Sequence, residues 1–310
     1  MKRRELFRRS AAFGLMAAVP TLGKVFSDAG PADPADGTAT PQLRPNALEP
    51  PAEGSIPVAF LISQDAVLID FVGPWEVFGN VMIAGRTNLF KLYTVAETLS
   101  PIRASGGMQI VPNYTLETAP VPKVIVIPAQ DDPSEAALEW IRMSSKTADV
   151  TMSVCTGAFV LAQTGLLAGK SATTHHAAYV DLATKFPGIT VKRGVRFVED
   201  GNLASSGGLS CGIDLAFRVV ERYFGRQATE QAAYDMEYQG RGWTNPSSNL
   251  IYAKLRTSAN NHPLCTVCGM NVAANGPKSV YKGTTYRFCS LDHKEQFDAA
   301  PARFVDTGKQ

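Results

Sequence analysis

The sequence predicts an α/β fold, a parallel sheet with helices on both faces, joined to a small C-terminal module held by a metal. Two observations predict the sheet. From Ile56 to Glu237, short apolar runs alternate with stretches of helical period, the pattern of strands connected by covering helices. Within that region Val150–Val154 reads as a buried strand and Gly157–Leu167 as a helix, with Cys155 at the joint. A third observation predicts the module: Cys265-Thr-Val-Cys268 is followed, after twenty residues, by Cys289-Ser-Leu-Asp-His293. The 310 residues, 45% hydrophobic and 19% charged, suffice for one large core and something smaller.

Residues 1–30 read as an export signal. A basic start (Lys2, Arg3, Arg4, Arg8, Arg9) precedes an apolar run, Ala11 to Leu22, that is short for a membrane span. Arg3-Arg4-Glu5-Leu6-Phe7 resembles a twin-arginine signal, which makes the expected address periplasmic or otherwise exported. The formal charge of +2 belongs largely to this segment; past Gly30 the remainder carries −2. A near-neutral body offers no electrostatic footprint for nucleic acid, and no membrane span is expected in the mature chain. Residues 31–54 hold six prolines among Ala, Gly, Asp and Thr and read as a linker.

The α/β domain is expected over residues 55–243. Ile56–Ile62 is strand-like, Val72–Ala84 helical, Asn88–Ala96 strand-like, and Lys123–Ile127 a strand bounded by prolines. Pro133–Ser144 reads as a helix capped by Asp131 or Asp132. Cys155 follows, with Ser153 and Gly157 as small neighbours two positions away on either side, as a tight strand-to-helix turn around a nucleophile requires. A helix N-terminus aimed at the sulfur lowers a thiol from about 8.5 into the range of roughly 3.5–7.5, so the expectation is a thiolate at neutral pH. The alternative is a buried structural cysteine. A β-rich section (Ile189–Val191, Val195–Glu199, Leu203–Ser205) leads to the amphipathic helix Leu209–Phe224 and a last helix, Ala228–Glu237. Cys211, in a glycine-rich turn, reads as packing. In such sheets reactive groups collect at the carboxyl ends of strands, where Cys155 falls.

Residues 244–262 are polar and read as a second linker, with one helical turn near Leu250–Leu255. In residues 263–305 the Cys-x2-Cys and Cys-x3-His spacings supply three thiolates and an imidazole, enough for a closed tetrahedral site for a divalent metal. About forty residues have too little core to stand alone, so a metal staple is physically expected. A Cys265–Cys268 disulfide is the alternative, which leaves Cys289 and His293 without a role.

Residues 56–243 resemble the ThiJ/PfpI family, of the class I glutamine amidotransferase-like, flavodoxin-like fold. Within it they are similar to the branch of isocyanide hydratases and the amino-terminal domains of AraC-type regulators. The resemblance rests on Leu68-Ile-Asp-Phe-Val-Gly-Pro-Trp-Glu-Val-Phe78, Ser153-Val-Cys-Thr-Gly-Ala-Phe-Val-Leu161, Gly165 to His175, and Asp200-Gly-Asn-Leu through Gly-Ile-Asp214. It implies Cys155 as nucleophile, Asp70 as acid/base, and Thr156 supplying its hydroxyl and backbone N–H. Asp70 can equally be read as a helix cap. Glu76 is an alternative partner, better read as helix face. His175 is either a chemical participant or a hydrogen-bonded structural imidazole; His176 reads as incidental. The implied reaction is hydration of an isocyanide to an N-substituted formamide on a small-molecule site, in a homodimer formed through the α/β domain. One departure stands out: the family commonly carries Pro-Gly-Gly where this chain has Pro128-Ala129-Gln130, a change at the backbone N–H lip of the pocket.

No helix-turn-helix pattern follows residue 243, which with the export signal argues against a regulator. Residues 263–304 resemble YHS/TRASH-type modules through Cys265-Thr-Val-Cys-Gly-Met270, Tyr281 to Cys289, and Phe297, Pro301 and Phe304. Those modules commonly end in a fourth cysteine where this chain has His293. That favours zinc and leaves copper open.

Overall fold

A computed structural model describes residues 46–83, 86–253, 263–273 and 275–305. The expected signal (1–30), the first part of the proline-rich segment and the end of the second linker lie outside them.

A seven-stranded sheet is the frame. Its strands are β1 (Ile56–Leu61), β2 (Phe90–Ala96), β3 (Tyr114–Thr115), β4 (Val124–Ile127), β5 (Val150–Val154), β6 (Phe197–Asp200) and β7 (Leu203–Ser206). The spatial order is β6-β7-β5-β4-β1-β2-β3. Every pairing is parallel except β6 with β7, a hairpin turning at Gly201, whose φ of 70° suits a residue without a Cβ. The β-rich section thus ends the sheet in an antiparallel edge instead of continuing it in parallel.

Among the described residues, six helices pack on the sheet: α1 (Leu68–Gly79), α2 (Glu135–Ser145), α3 (Gly157–Gln163), α4 (Tyr179–Lys185), α5 (Cys211–Phe224) and α6 (Arg226–Asp235). Because side chains alternate across a strand, β1 divides its residues between two cores. Ile56, Val58 and Phe60 join α1, α5 and α6 on one face. Ala59 and Leu61 join α2, α3 and α4 on the other. Both faces are covered, as the runs of buried β-branched residues in β1, β4 and β5 require.

Several boundaries differ from expectation for identifiable reasons. Helix α1 starts at Leu68, four residues before the expected Val72, because its first N–H is capped from a distance: Leu68 N donates to Ser105 Oγ at 3.0 Å. Helix α2 is capped by Ser134, whose Oγ accepts from Ala137 N at 3.2 Å, and not by Asp131 or Asp132. Helix α4 was not expected. The end of the proline-rich segment is tied down, since Arg222 Nε donates to Asn46 O at 2.8 Å and Leu48 N to Arg222 O at 2.9 Å.

Residues 263–305 form a separate small layer: the hairpin β8 (Lys278–Tyr281) and β9 (Thr284–Arg287), then α7 (Leu291–Ala299) and α8 (Ala302–Val305). Its apolar centre is Val267, Phe288, Phe297 and Phe304, completed by Ala177 and Val180 from the α/β domain. No helix among the described residues is long and apolar enough to cross a membrane.

Candidate active site and metal centre

The carboxyl ends of β4, β5 and β7 meet at Cys155. Its backbone is left-handed, φ 57°, in the turn from β5 into α3, a conformation a non-glycine residue holds only where its surroundings impose it. They do so here. Cys155 N donates to Gly207 O at 3.1 Å, and Thr174 Oγ1 donates to Cys155 O at 2.9 Å. Gly157 must be glycine, because a Cβ there would lie 2.2 Å from Ile127 O and 2.7 Å from Pro128 O. Cys155 is 8% exposed.

Asp70 approaches the sulfur from α1. It is wholly buried, and Oδ2 accepts from Ala129 N at 3.1 Å. Oδ1 is buried without a hydrogen-bond partner among the described residues. The capping alternative fails on geometry: Asp70 is the third residue of α1, and its carboxylate serves the end of β4 instead of the first turn of its own helix. Burial pushes Asp70 up to about 6, against the lowering effect of the Ala129 and Leu209 N–H groups and the nearby Cys155 thiol.

Cys155 differs from the thiolate expectation. Burial, with the Asp70 charge adding to it, pushes the thiol up to about 12; the Thr156 N–H, the Leu209 N–H and the Thr156 hydroxyl oppose it. Desolvation beside a carboxylate outweighs the dipole of a helix only seven residues long. At neutral pH the pair is a thiol beside a largely ionised carboxylate, which calls for a base to take the proton.

Thr156 therefore sits where its hydroxyl and N–H face the sulfur. His175 does not: no hydrogen bond joins it to Cys155 among the described residues. Its Nδ1 accepts from Ala177 N at 3.3 Å, and burial lowers its pKa, with His176 adding to the effect. Its ring packs on Gly208 so closely that a Cβ at that position would lie 2.1 Å away. Glu76 is exposed and bonds Asn80. Asp214 is held by Arg196 Nε at 2.6 Å, Tyr238 Oη at 3.0 Å and Trp243 N at 3.1 Å, an anchor for the tail beyond α6. Cys211 is buried, its thiol pushed up to about 11 by desolvation.

The replaced glycines at the pocket lip turn out compatible with the arrangement. Ala129 still presents its N–H to Asp70, and Gln130 Oε1 accepts from Ser63 N at 2.7 Å. The sequence reading missed Leu209. Its positive φ of 54° belongs to the turn that brings its N–H near Asp70 and Cys155, where it lowers both groups, and the Gly207-Gly208 pair before it is the signal in the sequence. Beside this turn lies a cavity of about 170 Å³, walled by His175, His176, Arg196, Cys211 and Tyr252. Cys155 does not line it, although the Gly208–Leu209 turn borders both. Its volume is below the roughly 300–1,000 Å³ of pockets for drug-sized ligands, so it suits a small molecule.

In the C-terminal layer, Cys265, Cys268, Cys289 and His293 converge, their ligand atoms all within 4.8 Å of one another. Cys268 Sγ lies 3.5 Å from Cys289 Sγ; His293 Nδ1 lies 3.1 Å from Cys289 Sγ and 3.6 Å from Cys265 Sγ. A tetrahedral zinc site, with about 2.3 Å to sulfur and about 2.0–2.1 Å to nitrogen, separates its ligand atoms by roughly 3.5–3.8 Å. The four residues therefore fit such an ion. All five cysteines are free thiols, so no Cys265–Cys268 disulfide competes. His293 Nε2, turned away from the sulfurs, reaches Asp181 Oδ2 at 3.1 Å and Oδ1 at 3.2 Å.

A doubly wound sheet with a left-handed cysteine at a strand end and a buried carboxyl beside it defines a cysteine-elbow α/β domain. The chain belongs to the DJ-1/PfpI family, whose features match over residues 57–222. It is similar to an isonitrile hydratase of Pseudomonas putida, 34% identical over 191 residues, which span 59% of this chain and 79% of that protein. It is also similar to the HTH-type transcriptional regulator CdhR of Pseudomonas aeruginosa, 24% identical, covering 68% of this chain and 63% of the regulator. Among solved structures, a ThiJ/PfpI family protein from Pseudomonas syringae aligns with a TM-score of 0.55 and 28% identity, over 66% of this chain and 84% of that one. Drosophila melanogaster DJ-1beta shares the fold, with a TM-score of 0.52 at 18% identity, over 60% of this chain and all of that one.

Proposed function

We propose that the α/β domain is a cysteine-dependent hydratase that converts isocyanides, or a closely related small electrophile, to N-substituted formamides. The observation that carries this reading is the Asp70–Cys155 pair. A carboxyl raised to about 6 beside a buried thiol can accept and return one proton near neutral pH. The 34% identity to an isonitrile hydratase supports the substrate class.

In the proposed cycle Asp70 takes the thiol proton as the sulfur attacks the terminal carbon of R–N≡C. The proton then goes to that carbon, leaving a thioimidate, Cys155–S–CH=N–R. Water adds to the same carbon, giving one proton to Asp70. Collapse breaks the C–S bond, the nitrogen and sulfur end protonated, and R–NH–CHO leaves with Cys155 restored as a thiol. Net, one water is added. The N–H groups of Leu209 and Thr156 offer stabilisation for charge developing on the sulfur or the adducts.

Formamide production from a simple alkyl or aryl isocyanide tests the reading. Wild-type protein should turn over, and Cys155→Ala should fall to background. Equal rates in the two proteins would end the enzymatic reading and leave a small-molecule-binding domain.

We also read residues 263–305 as a YHS-like metal-binding module. The Cys265, Cys268, Cys289 and His293 set supports a divalent ion, zinc before copper. Bound there, zinc would act as a closed structural centre that joins the two cysteine-bearing segments. This observation favours a second reading, in which the protein handles or senses metal and the α/β domain serves it. We further place the protein in an exported compartment by its twin-arginine-like start, with residues 31–54 and 244–262 as linkers around an α/β domain of residues 55–243 that pairs into a homodimer.

A further inference from the structure

We propose that Asp181, on α4 of the α/β domain, is the outer carboxylate of the metal centre in the C-terminal layer. The site is then built across two parts of the chain, and metal binding latches one onto the other. This rests on the reading that the three cysteines and His293 bind an ion.

The geometry supplies three supports. His293 presents Nδ1 to the sulfurs of Cys265 and Cys289 and Nε2 to both oxygens of Asp181. A ligating imidazole must be neutral at the metal-facing nitrogen, and a carboxylate accepting from the other N–H fixes that tautomer and the ring orientation. Asp181 is itself oriented, because Gln296 Nε2, from α7, donates to its Oδ1 at 3.0 Å. The contact continues as apolar packing: Ala177 and Val180, around the same turn of chain, share a core with Val267, Phe288 and Phe297. A surface carboxylate that met the module by accident would need neither the paired Gln296 nor the apolar seat beside it.

The acceptor lies 112 positions before the histidine in sequence, so removing the metal should affect α4 as well as the module. Without the ion, nothing fixes the Nδ1 side of the ring, and the contact rests on the His293–Asp181 pair, the Gln296 hydrogen bond and the apolar seat.

The test uses the full chain, with Zn²⁺ as the probe and affinity measured by competition with a chromogenic chelator. Asp181→Ala should bind zinc about 10- to 100-fold more weakly, the range for loss of an outer-shell partner. In a His293→Cys background, where a fourth thiolate replaces the imidazole, adding Asp181→Ala should change affinity by less than about twofold. Hydrogen exchange over residues 176–185 should slow on zinc addition in wild type and not in Asp181→Ala. Zinc affinity in Asp181→Ala within twofold of wild type would overturn the proposal. So would an equal loss in the His293→Cys background, which marks a purely structural role. A wild-type chain that binds no zinc would instead remove the metal reading on which the proposal rests.

Discussion

Asp70 and Cys155 oppose each other electrostatically, which makes their pH behaviour a sharp probe of the site. Burial raises the Asp70 carboxyl from its ordinary 3.8 to about 6 in the fold. Between those values the native state binds more protons than the unfolded one. Stability is therefore full below about pH 4, falls as pH rises toward 6, and stays reduced above. The loss has an upper limit of roughly 3 kcal/mol. Asp70→Asn removes the buried charge and keeps an oxygen for the Ala129 N–H. Its melting temperature should rise by about 3–8 °C at pH 7.5 and match wild type at pH 4; a fall at pH 7.5 would contradict the assignment. The same substitution removes the charge that raises the thiol. Iodoacetamide should therefore label Cys155 faster in Asp70→Asn than in wild type at pH 8, even as formamide production, if present, is lost. Slower labelling would mean that the carboxylate does not face the sulfur.

At the scale of elements, the crossing of β4 and α3 determines whether the cysteine turn can form. A Cβ at Gly157 would meet two backbone oxygens, at 2.2 Å and 2.7 Å, and neither can swing aside as a side-chain end could. Gly157→Ala should destabilise by about 3 kcal/mol, seen as a lower denaturation midpoint at unchanged slope. An unchanged midpoint would mean that the two elements are not packed as described. What sequence could foretell follows the same local logic. Strand β5 was legible to the residue because Val150, Met152 and Val154 alternate with small polar residues ahead of a Cys-Thr-Gly turn. The start of α1 was not, because its cap is Ser105, 37 positions away. Leu209 escaped for another reason: it acts through its N–H, and a backbone donor leaves no mark in residue identity. Asp181, which meets His293 across 112 positions, escaped because nothing near it in sequence points to a partner in another segment.

At the scale of the whole molecule, the described residues of the sheet and of the C-terminal layer differ in self-sufficiency. The sheet buries a continuous apolar interior on both faces, whereas the C-terminal layer centres on Val267, Phe288, Phe297 and Phe304 and borrows Ala177 and Val180. A core that small does not support an independent fold without a staple. If the Cys265, Cys268, Cys289 and His293 set holds zinc, ligation contributes most of the layer's folding free energy. Removing the ion with a chelator under reducing conditions should then abolish the thermal transition of residues 263–305 and leave that of the α/β sheet within about 2 °C. Proteolysis should follow the same division. Chelation should open cleavage around Lys278–Lys294, while β1, β4 and β5, buried on both faces, stay intact. Restoring zinc should reverse both effects, and magnesium should not, since thiolate and imidazole ligands select against a hard oxygen-seeking cation. A chelated protein that kept the layer's transition, or lost the sheet's at the same temperature, would contradict this division. In the first case the layer would fold on its apolar contacts alone; in the second it would be part of the main core.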